Sequence, residues 1–149
     1  MSGIDLRQAS LSDLDALTKL FDAYRVFYRQ PPDEAAARAF LKARFANLES
    51  VIFLAEVDDE PAGFTQLYPS FSSVSMRRVF ILNDLFVVLD ARGQGVAAAL
   101  LSRAAEFARA AGALRLSLAT EIDNKTAQRL YERHGWTREA DFYHYSLPL

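Results

Sequence analysis

The chain has 149 residues, of which 51% are hydrophobic and 24% charged, with a formal net charge of −2 and no cysteine. This length suits a single domain over residues 1–149, and the hydrophobic fraction is sufficient for a packed core. The charge indicates no nucleic-acid partner, and the lack of cysteine excludes disulfides and thiolate chemistry. We expect no metal, because the two histidines are widely separated. We also expect a cytoplasmic protein without membrane contact, since the chain lacks a signal-peptide pattern and an apolar run of ~18 residues.

The apolar periodicity predicts strands and helices in the order β-α-α-β-β-β-α-β-α-β. Strands are predicted at residues 4–8, 51–57, 63–68, 79–88 and 114–119, with closing strands at Trp136 and residues 142–147. Helices are predicted from Ser10 or Ser12 to Arg29, from Pro32 to Leu48, over 92–111, and from Asn124 or Thr126 to His134. The strand–helix–strand unit requires a parallel pair, whereas the other connections are short. The fold class is therefore α+β or mixed α/β, with a mostly antiparallel sheet.

Two glycines stand between the longest apolar strand and an Ala/Leu-rich helix, in the sequence DARGQGVAAALL. A helix that begins after Gly93 or Gly95 leaves its first amides unbonded at the positive end of its dipole, and Arg92 adds a charge there. Such a terminus is an anion site, and diphosphate is a common occupant. The alternative is an ordinary tight turn that uses glycine for its backbone dihedrals. This segment alone leaves both interpretations open.

A dinucleotide fingerprint is a further alternative, because Gly93, Gly95 and Ala98 fit its spacing and Glu121 lies near the position of its ribose-binding acid. That fingerprint usually opens its domain, whereas about 90 residues precede it here. The 28 residues after Glu121 leave no room for a second mononucleotide-binding half. We therefore do not expect a nicotinamide or flavin cofactor.

The glycine segment and a later one, NKTAQRLYERHGW at residues 124–136, together resemble the GNAT family of acetyl-CoA-dependent N-acetyltransferases. The family pattern is a strand ending in L-x-V, here residues 85–87, then R-x-x-G-x-G/A, then N-x-x-A-x-x-L-Y-x-x-x-G-F/W. Ala97 replaces the glycine found in many members. The resemblance covers residues 79–147 specifically and implies αβα layers with a splayed central parallel pair. Residues 82–87 and 24–28 look most like the diamine acetyltransferases and related small enzymes.

The resemblance implies acetyl-CoA as co-substrate, held mainly by backbone groups. These are Phe86, Val87 and Val88 for the pantetheine arm, and Gly93, Gln94, Gly95, Val96 and Ala97 for the pyrophosphate. Arg92 would lie at the pyrophosphate edge, and Asn124 would bond the pantetheine. Tyr131 would assist departure of the thiolate, although its apolar helix face also fits a core tyrosine. The amide of Val87 or Val88 would stabilise the oxyanion.

The acceptor and its general base are less defined by the sequence. Asp84 stands in an apolar strand, where a carboxylate is costly unless it has a function or a partner such as arginine. Glu121, and Glu34 or Asp33, are the other candidate bases. Candidate pocket residues are Tyr24, Tyr28, Gln66, Tyr68 and Phe71, with Glu121 as a further acceptor contact.

We expect the acceptor to be a small primary amine such as a polyamine or amino acid. A protein lysine or N-terminus, and a non-catalytic CoA-binding module, are the alternatives. A homodimer is also expected, because the aromatic strand predicted at residues 142–147 would otherwise leave an exposed edge.

Overall fold

The computed structural model describes residues 3–149. They divide into two compact units, of which the first ends at Ala119 and the second runs from Thr120 to Leu149. The first unit holds β1 (Ile4–Gln8), α1 (Leu14–Phe27), α2 (Glu34–Ala46), β2 (Val51–Val57), β3 (Glu60–Ser72), β4 (Arg77–Val87), α3 (Val96–Ala110) and β5 (Leu116–Ser117). The second unit holds α4 (Lys125–Arg133). Within residues 3–149, no helix has the length and apolar character needed to cross a bilayer.

The five strands of the first unit form one sheet in the order β1-β2-β3-β4-β5. The first four pair antiparallel, and β4 pairs parallel with β5 through Phe80–Leu116 and Ile81–Ser117. The predicted mixed, mostly antiparallel sheet with one parallel pair is thereby confirmed. The predicted strand at 114–119 shortens to two residues, so β4 continues from Ile81 to Val87 beyond its pairing with β5. The two parallel strands thus pair at one end only, in agreement with the expected splay.

Helices cover both faces of this sheet. On one face, α1 and α2 bury a core with the inward residues of β2, β3 and β4: Leu14, Leu17, Leu20, Phe21, Ala37, Leu41, Ile52, Leu54, Phe64 and Phe86. On the other face, the α3 residue Phe107 packs edge-on against Phe53 and Phe80, with ring centroids 5.6 and 5.5 Å apart. Asp33 fixes the start of α2 by accepting from Ala36 N at 3.0 Å, which agrees with a helix start just after the two prolines.

A β-bulge at Asn83 reverses the alternation of β4. Gln66 pairs with Asp84 and the next residue, Leu67, pairs with Leu82, so Asn83 is an extra residue in β4 with no partner in the β3 register. Phe80 consequently faces α3, whereas Phe86 faces Tyr24 of α1 with ring centroids 6.1 Å apart. Regular alternation would place both rings on the same face. The bulge therefore determines that Asp84 points toward α1.

The predicted closing strands at Trp136 and residues 142–147 are wrong, because residues 134–149 contain no strand. Alternating aromatic residues favour a strand, but a strand forms only where a neighbour completes its hydrogen-bonded ladder. Phe142, Tyr143 and Tyr145 are instead exposed. The homodimer was inferred from this strand and stays a prediction, as does the single-domain interpretation.

Candidate active site

Asp84 lies at the centre of a buried polar cluster on the α1 side of the sheet. Asp84 is only 2% exposed, and its Oδ1 accepts a hydrogen bond from Asn83 Nδ2 at 2.9 Å. Its Oδ2 accepts from Gln66 Nε2. No ion pair to this carboxylate is found within residues 3–149. The partner expected for a buried carboxylate is therefore a pair of neutral amides rather than an arginine.

Burial raises the pKa of the Asp84 carboxyl, and the hydrogen bonds from Gln66, Asn83 and Tyr24 offset part of this effect. A raised pKa makes the ionised carboxylate a stronger base than an exposed aspartate. This property, combined with the lack of a cationic partner, suits a group that accepts and then releases a proton during a reaction.

Two tyrosines, Tyr24 of α1 and Tyr68 of β3, lie beside this carboxylate. The Tyr24 hydroxyl donates to the backbone oxygen of Asn83 at 3.4 Å, and its ring packs on Tyr28 with centroids 5.1 Å apart. Burial and the Asp84 charge raise the pKa of Tyr24 and bring the pKa of Tyr68 to about 12. Two of the predicted acceptor residues, Tyr24 and Tyr68, thus interact with Asp84, and a third, Tyr28, packs on Tyr24.

Other predicted acceptor residues lie elsewhere. Phe71 is 68% exposed beside Arg78 in the β3–β4 hairpin. The Asp33 carboxylate caps α2, and Glu34 is exposed in the first turn of that helix. These three residues therefore do not join the cluster around Asp84.

The end of β4 presents backbone groups on its unpaired side. The amide of Val88 donates to Ala62 O at 2.8 Å and thus faces β3, so it is not available to an oxyanion. Because backbone direction alternates along a strand, the N–H and C=O of Val87 face away from β3. Opposite Val87, Gly63 permits the close approach of the strands, since a Cβ there would meet Phe86 O at 2.6 Å. Of the two amides considered from the sequence, Val87 remains the oxyanion candidate.

The loop between β4 and α3 has the geometry of an anion-binding helix start. Gly93 and Gly95 have φ of +78° and +85°, a backbone conformation that favours glycine. This agrees with the tight-turn interpretation. The first bond of α3 runs from Ala99 N to Gly95 O at 3.0 Å, so the amides of residues 96–98 precede the helical ladder. A Cβ on either glycine would meet nothing within 4 Å. The open approach to these amides also fits the phosphate interpretation.

Arg92 lies closer to the strand than the sequence suggested. Its Nε donates to Val87 O at 2.9 Å, and its guanidinium lies 5.3 Å from the Phe27 ring and 5.9 Å from the Phe86 ring. The side chain therefore connects the loop, the end of β4 and α1, in addition to the pyrophosphate contact expected of it.

In the second unit, Asn124 caps α4 by accepting from Ala127 N through Oδ1 at 3.1 Å. The Tyr131 ring packs on Trp136 with centroids 6.1 Å apart. Glu121 belongs to the turn before α4 rather than to a strand end, and its backbone oxygen accepts from Asn124 N at 3.0 Å. The roles of these residues toward acetyl-CoA and the acceptor stay predictions.

Sequence reasoning missed two features of the cluster. It named Gln66 only as a pocket residue, although a glutamine inside an apolar strand is itself a signal of a buried polar partner. It gave no role to Gly63, because the need for a glycine there arises from the close approach of β3 and β4.

Comparison with known proteins places these features in context. The model of the acetyltransferase (GNAT) family matches residues 14–136. The Bacillus subtilis protein described as an uncharacterized N-acetyltransferase, YhfO, is 53% identical over 146 residues, which cover 98% of each chain. A crystal structure described as a probable acetyltransferase is 45% identical, with a TM-score of 0.93 and 97% of each chain covered.

A more distant structure shares the fold. The aminoglycoside N-acetyltransferase AAC(6')-Iy, solved in complex with CoA, is 20% identical with a TM-score of 0.81 over 100% of this chain and 97% of that chain. This similarity supports the mixed α/β architecture described above.

Proposed function

Because the chain belongs to the acetyltransferase (GNAT) family and is an acetyl-CoA-dependent N-acetyltransferase, we propose that its acceptor is the primary amine of a small molecule. The observation that carries this proposal is the buried Asp84 carboxylate, bonded by neutral amides beside Tyr24. One carboxylate with aromatic neighbours suits one ammonium group, which aromatic faces attract by ~0.5–2 kcal/mol each. A polyamine or an amino acid has this chemistry.

The amine must lose a proton before it can attack. An alkylammonium with a pKa of ~10.4 pays roughly 4.6 kcal/mol to become neutral at pH 7. We assign Asp84 as the base that takes this proton, directly or through water. The neutral nitrogen then bonds to the acetyl carbon, the carbon–sulfur bond breaks, and the second proton lost by the nitrogen is the one that the CoA sulfur gains. The products are the acetylated amine, the CoA thiol and one proton, which Asp84 returns to solvent.

Two further groups are assigned to charge that develops during transfer. The Val87 amide, which faces away from β3, would donate to the acetyl oxygen as it gains negative charge. Tyr131 would give a hydrogen bond or proton to the departing sulfur, as the family resemblance implies. Glu121 is kept as a candidate contact for the acceptor. Because it is exposed, solvent would weaken its attraction for an ammonium group.

The loop of residues 92–97 fits the pyrophosphate of acetyl-CoA. Two glycines with left-handed backbone leave the amides of the first turn of α3 open, and the helix dipole favours an anion there. The unpaired side of β4 beyond Ile81 would accept the pantetheine arm as an added strand. The amide of Val88 would not take part, because it donates to Ala62 O, and the backbone oxygen of Val87 accepts from Arg92 Nε. The proposed pantetheine contact of Asn124 would use its amide nitrogen, since its Oδ1 caps α4.

A screen of acceptors tests this function. The purified protein is incubated with acetyl-CoA and a panel of diamines, polyamines, amino acids, aminoglycosides and peptides, and thiol release is recorded. We expect the highest kcat/KM with a small primary amine, and little activity with the same amine in Asp84→Asn. Reaction with peptides alone would contradict the small-molecule assignment. Acetyl-CoA binding without transfer to any small amine of the panel would contradict the small-molecule assignment as well.

A further inference from the structure

Building on the proposed role of Asp84, we propose that Gln66 is a positioning residue, whose side-chain amide holds the Asp84 carboxylate in place and keeps it able to accept a proton from the acceptor amine.

Gln66 is built into the sheet directly opposite Asp84. The two residues pair in register across β3 and β4, Gln66 is 0% exposed, and its Nε2 donates to Asp84 Oδ2. Its Oε1 has no hydrogen-bond partner within residues 3–149. A buried amide with one unsatisfied end is costly, and an apolar side chain would fill this position at less cost. The hydrogen bonds of Gln66 to Asp84 and Tyr68 therefore account for a glutamine here, and the bond to Asp84 is the one that acts on the carboxylate.

A neutral amide suits a group that cycles between two protonation states. Gln66 Nε2 donates to the ionised carboxylate, and after a rotation of the amide, Oε1 would accept from the protonated carboxyl. An arginine would bond only the ionised form and would hold the pKa of Asp84 low, which weakens the base. The pairing of Gln66 with Asp84 thus preserves a basic carboxylate in a fixed orientation.

Few charged groups face Asp84 from the surrounding elements. Tyr24 approaches from α1 with Tyr28 packed on its ring, Tyr68 approaches from β3, and Arg44 of α2 acts on Tyr68. The pKa of Tyr24 is raised and that of Tyr68 is about 12, so neither ionises at neutral pH. Burial raises the pKa of Asp84 and the Gln66 hydrogen bond lowers it. We therefore expect loss of that bond to raise the pKa of Asp84 further.

Gln66→Met tests the positioning role, because methionine has a similar length and no strong hydrogen-bonding group. The pKa of Asp84 is followed by carboxyl carbon NMR, with the resonance identified by its absence in Asp84→Asn, and kcat/KM is measured against pH. We expect the midpoint of the NMR titration and the acid limb of kcat/KM to move together to higher pH. The proton concentration at each should fall by a factor of at least three. The KM for acetyl-CoA should stay unchanged.

Thr65→Val is the matched control. Thr65 is also 0% exposed and neighbours Gln66 in the chain, but its hydroxyl donates to the backbone oxygen of Asp84 at 2.8 Å. Its loss should lower the melting temperature without moving the midpoint or the limb. If Gln66→Met does not fold, Gln66→Glu replaces it, since two adjacent carboxyls would share a proton and raise the limb.

The outcomes separate this inference from the proposed function. A folded Gln66 variant with an unmoved midpoint, or a Thr65→Val shift of equal size, overturns the positioning role. A midpoint that moves while the limb stays fixed overturns both the base role of Asp84 and the positioning role. If no small amine is acetylated, the proposed function fails, and the NMR midpoint still tests whether Gln66 holds Asp84.

Discussion

Arg92 donates from Nε to the backbone oxygen of Val87 across 2.9 Å, which ties the start of the glycine loop to the end of β4. The same guanidinium lies over the Phe27 ring at the end of α1. Val87 is the proposed oxyanion donor, and the loop is the proposed pyrophosphate site. One side chain therefore holds the strand end and the loop in a single arrangement.

Arg92→Lys should disturb both halves of this arrangement while keeping the charge. Lysine lacks the planar guanidinium and its Nε–H, and it stacks less well on aromatic rings, so it is not a conservative replacement here. We expect kcat/KM for acetyl-CoA to fall about tenfold, or roughly 1.4 kcal/mol. Steady-state kinetics with the best small amine measure this effect.

The control is Arg103→Lys, because Arg103 lies on α3 with its guanidinium 4.7 Å from the Phe53 ring. It shares the aromatic contact and lies outside the loop, so its kinetics should match the unmodified protein. Equal kinetics for both variants would show that the bond to Val87 has no functional part.

Gly95→Asp should strongly weaken acetyl-CoA binding through the loop. Its backbone has φ of +85°, so any side chain adds strain, and the carboxylate would stand where the pyrophosphate is proposed. Calorimetry should show an affinity reduced by at least about a hundredfold, because a like charge replaces the open approach to the helix amides.

Gly112→Asp separates strain from charge. Gly112 follows the same helix, has φ of +74°, and also has open space at its Cβ position. Both variants should lose stability by roughly 1 kcal/mol. Only Gly95→Asp should lose acetyl-CoA affinity, and an equal loss in the two variants would argue against the loop as the pyrophosphate site.

The periodicity of the sequence was sufficient to predict the helices and the central strands, because apolar faces and turn residues mark them directly. It was insufficient for the cluster around Asp84. The orientation of that residue depends on the bulge at Asn83, and because β4 has buried residues on both faces, its apolar pattern does not show where the bulge lies. The partner of Asp84 was open for the same reason, since cross-strand register is a tertiary property. The family motif indicated that the end of β4 contacts acetyl-CoA. The choice of Val87 over Val88 as oxyanion donor depends on the hydrogen bond from Val88 N to Ala62 O, which the sequence does not reveal.

Asp84→Asn should remove activity and stabilise the fold. Kinetically, loss of the base should lower kcat/KM by about 10²–10⁴ and remove the acid limb of the pH profile. Burial raises the pKa of Asp84 in the native state, so the native state binds more protons than the unfolded state between the two pKa values. The unfolding free energy therefore decreases as pH rises through that window.

The amide variant avoids this cost of ionisation and should be more stable at pH 7 by on the order of 1 kcal/mol. The gain should vanish below about pH 3.8, the ordinary carboxyl pKa, where Asp84 is protonated in both states. Thermal denaturation at several pH values measures it. A variant that is less stable at pH 7 would mean that Asp84 is a structural residue, and full activity would remove it from the site.

Tyr131→Phe should slow the step in which sulfur departs. The change keeps the ring that packs on Trp136 and removes only the hydroxyl, so folding should persist. We expect kcat to fall by roughly ten- to a hundredfold with little change in the KM for acetyl-CoA, because a donor to the leaving sulfur acts mainly in the transition state. Tyr143→Phe is the matched control in the same unit, since Tyr143 is 91% exposed and has no assigned role. A leaving-group donor should also matter less when the departing thiol is more acidic. An acetyl thioester of an aromatic thiol should therefore narrow the difference between Tyr131→Phe and the unmodified protein, whereas a tyrosine that acts through packing would show the same defect with either donor.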